Sequence, residues 1–383
     1  MDIYSWILTL AIISGQLIKV PLSGNAGITI LDLVVAILCI LGIFKLRFRL
    51  KKPPLFIKGA IVFIAVAILS LFATPLHLQL WEYLTSFLYT IRFSAYIFLG
   101  WIIFSGAFPK LQRSIPRILI LSGLNLAVLG LLQFIFLPDL GPLAKDGWDP
   151  HYFRTVSTFL DPNFAGAFFA LTLVLIFQKL AIAKKWKIFF FLIIYSALLT
   201  TFSRGAYLAF LTSFMTFSFL RKSLKLGIIS LVLFLGLLLG FSLYQKSVAL
   251  PRGIDRTQSA EFRLSTWQQG GSLFQLHPVL GVGFNAYRYA IAQYNLGDSE
   301  FLTSRGASTN DSSLLFVLAT TGILGFAGIL FFIFSTVWTN KYNFLLIAGI
   351  LGLTVQSFFA NTLFYPFILI WIILALVKLT KDD

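Results

Sequence analysis

Charge and cysteine are both scarce in this sequence. Only 11% of the 383 residues are charged, whereas soluble globular chains carry about 25%. This deficit excludes an ordinary water-soluble globular domain. The single cysteine, Cys39, excludes an internal disulfide and any metal site built from several thiolates.

Histidine is almost as rare. The three that occur, His77, His151 and His277, share no spacing that would place two metal ligands on one helix face. The sequence also lacks a nucleotide-binding loop and a recognisable Ser-His-Asp order. We therefore expect neither a metal ion nor a cofactor.

Apolar residues make up 58% of the chain. Runs of about 20 apolar residues recur, which is the length that crosses a hydrocarbon core about 30 Å thick. The sequence therefore predicts an all-α, polytopic membrane protein with about 12 transmembrane helices in a single transmembrane domain, residues 1–383. The predicted spans are roughly 5–18, 26–44, 55–73, 80–104, 118–137, 163–180, 188–202, 204–220, 226–244, 312–338, 344–363 and 366–377.

The net charge of +16 follows the loops and does not indicate a nucleic-acid partner. Basic residues concentrate in short loops on the side that carries both termini, and acidic residues concentrate on the opposite side. By the positive-inside rule, both termini are cytoplasmic. Residues 138–161, and the long loop 246–309 between the ninth and tenth spans, are then external.

The loop 246–309 is the only long polar segment of the chain, and it is rich in arginine. Residues 260–274 predict an amphipathic helix on the outer membrane surface, with Trp267 one turn from Arg263. Arg288 and Arg305 are further cations of the same loop. Membrane anchoring and anion binding are both compatible with this pattern.

Arg204 lies between two apolar runs and has no adjacent acid in the sequence. Ser203 can cap the helix that follows, and an arginine at a helix N-terminus suits a pyrophosphate. The alternative is an arginine that merely extends to the membrane surface. Arg154 is a possible second anion contact, and Asp161 or Asn163 can cap the sixth span.

A glycine-rich turn and two charged residues near predicted spans are weaker signals. Gly281, Gly283 and Asn285 form a short glycine-rich turn, which by itself is a weak indication of phosphate binding. Arg92 and Asp32 fall inside or close to predicted spans, where pairing or cavity lining is expected.

These motifs, taken in order, resemble the O-antigen ligase and polymerase family of bacterial membrane glycan transferases over roughly residues 118–376. The resemblance rests on these motifs: Arg154 with STFLDPN (157–163), TFSRGAY (201–207), Arg263 with Trp267, HPVLGVGFN (277–285), LATTGILG (318–325) and Asn361-Thr362. The resemblance implies that a glycan moves from a polyprenyl pyrophosphate carrier to a glycan, lipid or protein acceptor, on the outer face of the bacterial cytoplasmic membrane. Two arginines important in the ligases match Arg204 and Arg263. Fixed guanidinium groups would stabilise the charge that builds on a pyrophosphate leaving group.

The sequence departs from the family at the start of the tenth span. The ligases carry His-Asn there, whereas residues 308–314 read STNDSSL and leave Asp311 or Thr309 at the histidine position. Asp311 is the candidate base, because a carboxylate can activate an acceptor hydroxyl. The predicted catalytic residues are Arg204, Arg263 and Asp311, and the predicted substrate-binding residues are Arg154, Asn163, Trp267, Asn285, Arg288 and Arg305. The missing histidine leaves polymerase activity open, and a transporter or flippase and an assembly protein with a decayed site remain alternatives.

Overall fold

Helices account for almost all of the regular structure. The computed structural model describes residues 1–23, 26–146, 148–177, 183–250, 256–298, 301–302 and 306–379. The helices are α1 (Ile3–Ser14), α2 (Ile30–Lys45), α3 (Leu55–Phe72), α4 (Leu80–Phe104), α5 (Pro109–Phe136), α6 (Pro162–Leu175), α7 (Lys184–Thr201), α8 (Arg204–Leu220), α9 (Leu224–Tyr244), α10 (Arg256–Leu276), α11 (Tyr287–Gln293), α12 (Ser313–Thr339), α13 (Phe344–Gln356) and α14 (Pro366–Leu379). A π-helical turn, Gln245–Ala249, extends α9.

Five helices in the described part of the chain are long and apolar enough to cross a membrane: α3, α4, α5, α12, and α9 with its π-helical extension. They contain 18 to 28 residues, which corresponds to roughly 27–42 Å of helix. α1, α6, α13 and α14 are apolar but shorter. The predicted all-α integral membrane class is confirmed, and the count of about 12 spans stays a prediction.

Three helices stop earlier than the sequence predicted, and one of them, α6, ends at Leu175. α1 ends at Ser14, because Gly15 adopts a positive φ of 55°, and residues Lys19–Ser23 (β1) then pair with Ala26–Thr29 (β2) in an antiparallel hairpin. This small hairpin is an unpredicted addition to the helical fold. α13 ends at Gln356, and the turns that follow it border the cavity described below.

α6 and α14 form the centre of the helical bundle. Every residue from Phe367 to Val377 of α14 is at most 9% exposed, and residues 165–175 of α6 are buried as well. Helices that are apolar on all sides pack between other helices, and α6 contacts α5, α7, α8, α13 and α14. The N-terminus of α6 therefore lies near the middle of one end of the bundle.

The position of α8 is fixed by close packing against α13. A Cβ atom added to Gly352 of α13 would lie 1.9 Å from Ser213 Oγ and 2.5 Å from the Ala209 carbonyl oxygen on α8. Only glycine allows the two helices to approach this closely. This packing sets the depth of α8, and with it the position of Arg204, its first residue.

The N-termini of α2, α6, α8 and α12 lie at the same end of the bundle, and each begins with a side-chain cap. Thr29 caps α2, Asp161 caps α6, Ser203 caps α8 and Ser312 caps α12. The positive ends of these helix dipoles therefore point to one region, which favours negative charge there. The caps predicted for Asp161 and Ser203 are confirmed.

The glycine-rich turn has a backbone role that its sequence did not reveal. α12 is broken at Gly322, where φ is +62°, and the break exposes backbone groups to the segment 278–283. Val282 N donates to the Ala319 carbonyl and Ile323 N donates to the Pro278 carbonyl, at 3.0 and 2.8 Å. A Cβ atom on Gly281 would lie 2.4 Å from the Thr320 carbonyl carbon, so this glycine is needed for close backbone pairing.

Candidate active site

A cavity of about 1120 Å³ opens at the end of the bundle where the helix caps lie. Its border includes Thr29, Gln79, Asp161 and Ser203, which are the N-cap residues of α2, α4, α6 and α8. These helix ends are the ones that the basic-residue distribution predicts to be external. Of the predicted site residues, the cavity is lined by Arg154, Asn163, Arg204, Arg263, Asn285, Arg288 and Asp311.

Arg204 is exposed to the cavity at the first position of α8. The turn before it is tight: Phe202 has a φ of +48° and stacks on Tyr244 with ring centroids 4.0 Å apart. The guanidinium carbon of Arg204 lies 5.7 Å from the centre of the Phe241 ring on α9. Within the described ranges, no carboxylate forms an ion pair with Arg204.

Arg263 and Asp311 also line the cavity, and they meet there from different elements. Arg263 is on α10, Asp311 precedes α12, and Arg263 Nε lies 3.9 Å from Asp311 Oδ2. The charges of Arg204 and Arg263 are close enough to influence one another. The site therefore holds two guanidinium groups and one carboxylate, a set that carries net positive charge.

The environment of Asp311 raises the pKa of its carboxyl group to about 6. Burial is the main cause, and the charges of Asp161 and Asp149 act in the same direction, whereas Arg263 opposes them. The side chain is nevertheless 36% exposed, towards the cavity. Asp311 is thus enclosed by protein yet open to a bound molecule, which is the usual environment of a catalytic acid or base.

Asn310 ties the Asp311 loop to α10 and α11. Its side chain is fully buried, and its amide donates to the Thr266 carbonyl of α10 and, at 3.0 Å, to the Tyr287 hydroxyl of α11. Its amide oxygen accepts from Ser312 N at 2.9 Å. Since Thr266 lies on the same helix as Arg263, these bonds fix the separation of Arg263 and Asp311.

Arg154 and Asn163 line the cavity but also brace its wall. Arg154 is 8% exposed, and its Nε donates to the Thr201 carbonyl at 2.8 Å, at the C-terminal end of α7. Asn163 Oδ1 accepts from Ser203 Oγ at 2.8 Å, and Gln356 Nε2 donates to the Asn163 carbonyl at the same distance. Both residues hold the turn that presents Arg204.

The remaining predicted substrate-binding residues have different placements. Asn285, with a φ of +62°, and Arg288 on α11 line the cavity. Trp267 does not line the cavity, but its ring lies 6.2 Å from that of Phe359, which does. Arg305 lies outside the described residues.

The sequence drew attention to Arg92 and Asp32, but it did not draw attention to the other polar residues of α4. Pairing or cavity lining was expected for Arg92 and for Asp32, and the structure pairs them with each other, because Arg92 Nη2 lies 3.0 Å from Asp32 Oδ2. The cavity-lining residues Glu82, Thr85 and Tyr89 of α4 were missed. Their spacing of three and four residues within a predicted span was the signal that could have found them, because polar residues inside a span usually face a cavity.

The fold and the site define a class: an all-α integral membrane protein with a cavity at one end that is lined by charged residues of both signs. Residues 188–330 match the family model described as O-antigen ligase. This match supports membership of the O-antigen ligase family and confirms the resemblance that the motifs predicted. The matched region runs from α7 into α12 and contains Arg204, Arg263 and Asp311. No curated protein matches the chain.

Proposed function

We propose that this protein transfers a glycan from a polyprenyl pyrophosphate carrier to an acceptor, on the outer face of the bacterial cytoplasmic membrane. Family membership supports the coarser part of this statement, glycan transfer in the ligase and polymerase family. The observation that carries the finer part is the shared cavity of Arg204, Arg263 and Asp311. These are the groups that a pyrophosphate leaving group and a hydroxyl nucleophile require.

Arg204 and Arg263 hold the pyrophosphate in the proposed reaction. The bond between the anomeric carbon and the phosphate oxygen breaks, and the electron pair stays on that oxygen. Charge builds on the pyrophosphate as the bond lengthens, and two fixed guanidinium groups stabilise it more than they stabilise the bound donor. The helix N-termini around the cavity add a further positive potential, which also stabilises the negative charge of the pyrophosphate.

Asp311 is the proposed base. Its carboxylate takes the proton of the acceptor hydroxyl while the acceptor oxygen forms the new bond to the anomeric carbon. With a pKa of about 6, roughly nine-tenths of the groups are ionised at pH 7. The raised pKa makes the carboxylate a stronger base than an ordinary aspartate, which suits proton transfer near neutral pH.

The test is transfer by purified protein in reconstituted vesicles, with lipid-linked glycan extracted from the cells that express it. The expected result is a longer or newly attached glycan together with release of polyprenyl pyrophosphate. A lipid-linked oligomer as product indicates a polymerase, whereas a product on another lipid or a protein indicates a ligase. Movement of intact donor across the bilayer without release of the pyrophosphate would contradict transfer and support a flippase.

A further inference from the structure

One wall of the cavity consists of a polar face of α4. Glu82, Thr85, Tyr89 and Arg92 recur at intervals of three or four residues, so they lie on one side of the helix, and all four line the cavity. α4 is the least hydropathic of the five helices long enough to cross a membrane. Polar side chains in such a helix are costly, and their alignment on the cavity side indicates a binding role.

α11 and the residues just before it adjoin this face and extend the wall. Asn285, Arg288 and Tyr289 line the same cavity. Thr85, Glu82 and Tyr89 of α4 are all close enough to Tyr289 to act on its hydroxyl group electrostatically. Residues of α4 and α11 therefore form one continuous polar surface, which we name the α4–α11 wall.

The α4–α11 wall is held in place by bonds that leave aromatic rings and polar tips at the cavity. Arg92 Nη2 donates to Asp32 Oδ2 and to the Gly27 carbonyl of β2, at 3.0 and 2.6 Å. Its guanidinium carbon lies 4.9 Å from the centre of the Tyr89 ring. One carboxylate oxygen of Glu82 accepts from Gln79 N at 2.9 Å. A ligand therefore meets side chains whose positions are already fixed.

Tyrosine rings next to carboxylate, hydroxyl and guanidinium groups match the chemistry of a sugar chain. A pyranose presents a C–H face that packs on an aromatic ring and hydroxyls that need both donors and acceptors. The cavity, at about 1120 Å³, is larger than the roughly 300–1,000 Å³ of a drug-sized ligand site. It has room for sugar residues beside a pyrophosphate.

We propose that the α4–α11 wall is a carbohydrate-binding subsite that holds sugar residues next to the reacting anomeric carbon; this inference rests on the proposed function. The wall and the arginine site border the same cavity from different helices. α4 packs against α2, α3 and α14, whereas α8 packs against α6, α9 and α13. Sugar binding and pyrophosphate binding are therefore separable by substitution.

Binding of two probes to purified protein tests the subsite. One probe is the oligosaccharide released by mild acid from the lipid-linked pool of the expressing cells, and the other is inorganic pyrophosphate. Tyr89→Ala and Tyr289→Ala should each raise the Kd for the oligosaccharide on the order of tenfold, because a stacked ring is lost. The Kd for pyrophosphate should not change. Tyr89→Phe, which keeps the ring, should bind the oligosaccharide much as the wild type does.

Tyr83→Ala is the matched control, since Tyr83 is on α4 but does not line the cavity. Glu82→Gln keeps the shape of the side chain and supplies a second variant if an alanine variant does not fold. Oligosaccharide binding at wild-type strength in Tyr89→Ala and Tyr289→Ala, or an equal loss in Tyr83→Ala, would overturn the proposal.

Transfer kinetics then identify which sugars occupy the subsite. A raised KM for the lipid-linked donor assigns donor sugars, and a raised KM for the acceptor assigns acceptor sugars; a fall in kcat alone contradicts a binding role. The two proposals can fail separately. If pyrophosphate does not bind but the oligosaccharide binds through Tyr89 and Tyr289, the donor chemistry is wrong and the carbohydrate subsite stands.

Discussion

Arg263 and Asp311 form an ion pair at the edge of the cavity, with Nε and Oδ2 3.9 Å apart. Asn310, which directly precedes Asp311, donates hydrogen bonds to α10 and to α11. These bonds hold Asp311 next to Arg263. The positive charge of Arg263 limits the rise in the pKa of the Asp311 carboxyl group. A pyrophosphate that drew Arg263 away would therefore leave Asp311 a stronger base.

Replacing Asp311 with asparagine should abolish most transfer while donor binding persists, because asparagine keeps the shape and loses the basicity. The expected loss is on the order of 10²–10⁴ in rate, the usual contribution of a positioned base. Asp298→Asn is the control, since Asp298 also lines the cavity but accepts a hydrogen bond from Phe301 N. Transfer by Asp311→Asn at close to the wild-type rate would remove the residue from the mechanism.

The pH dependence of transfer should report the ionisation of Asp311. The active form is the carboxylate, so the rate should rise with pH through about 6 and fall as the group becomes protonated below that value. Asp161→Asn removes a negative charge that raises the pKa of Asp311, and asparagine remains a good helix cap. The acid limb should therefore move to lower pH in this variant.

Asp139→Asn is the control for the pH profile. Asp139 caps a turn of the loop by accepting from Gly141 N at 2.8 Å, and it does not line the cavity. Its substitution should leave the acid limb in place. A profile that is the same in the wild type and in Asp161→Asn, or one that moves upward, would contradict Asp311 as the titrating base.

The predicted topology is open to a labelling test. In a Cys39→Ala background, Ser259→Cys should react with a membrane-impermeant thiol reagent added to intact cells, because the loop 246–309 is predicted to be external. Tyr342→Cys, at an 84% exposed position in the turn between α12 and α13, should react only after the membrane is opened. The reverse pattern would place the cavity on the cytoplasmic side.

Gly322→Ala should destabilise the protein. The residue has a φ of +62°, and an added Cβ would lie 2.2 Å from the Val279 carbonyl oxygen. The strained backbone alone costs about 1–3 kcal/mol, and the displaced segment 278–283 adds to that cost. Thermal unfolding of purified protein should show a lower Tm, whereas Gly271→Ala, with open space around the glycine, should not lower it.

The helical class and the anion-site hypothesis for Arg204 could be drawn from the sequence, because each depends on local signals, whereas Arg263 was singled out by the family resemblance. Apolar runs identify helices whatever their neighbours are, and an arginine beside a serine cap indicates an anion site without knowledge of its partners. The cost of an unpaired charge in a span predicted that Arg92 and Asp32 would each be paired or line a cavity, but it did not identify them as partners.

Features that depend on long-range packing could not be predicted. The glycine-rich turn was only a weak indication of phosphate binding, and the sequence did not show that Gly281 is needed for close backbone pairing with α12. Arg154 lines the cavity, and its role as an anion contact stays a prediction, but its bond to the carbonyl of Thr201 could not be anticipated. The polar spacing along α4 marks one face of that helix, but only the packing of the helices shows that this face borders the cavity.

The most direct test of the central claim is the joint behaviour of Arg204 and Arg263 in the reconstituted transfer assay. Arg204→Lys and Arg263→Lys keep a positive charge but lose the planar fork that binds phosphate oxygens in pairs. Each should lower the rate on the order of 10²–10³, while Arg221→Lys, at the other end of α8 and not in the cavity, should not.

If the two arginines bind one pyrophosphate, the double variant should lose much less transfer rate than the product of the two single losses. The reason is that the effects of substituting residues that act as a unit are not additive in free energy. Rates for the wild type, both single variants and the double variant, measured with the same lipid-linked glycan, decide the question. Strongly sub-multiplicative losses are the predicted result. Multiplicative losses, or an unchanged rate in either single variant, would contradict a shared pyrophosphate site.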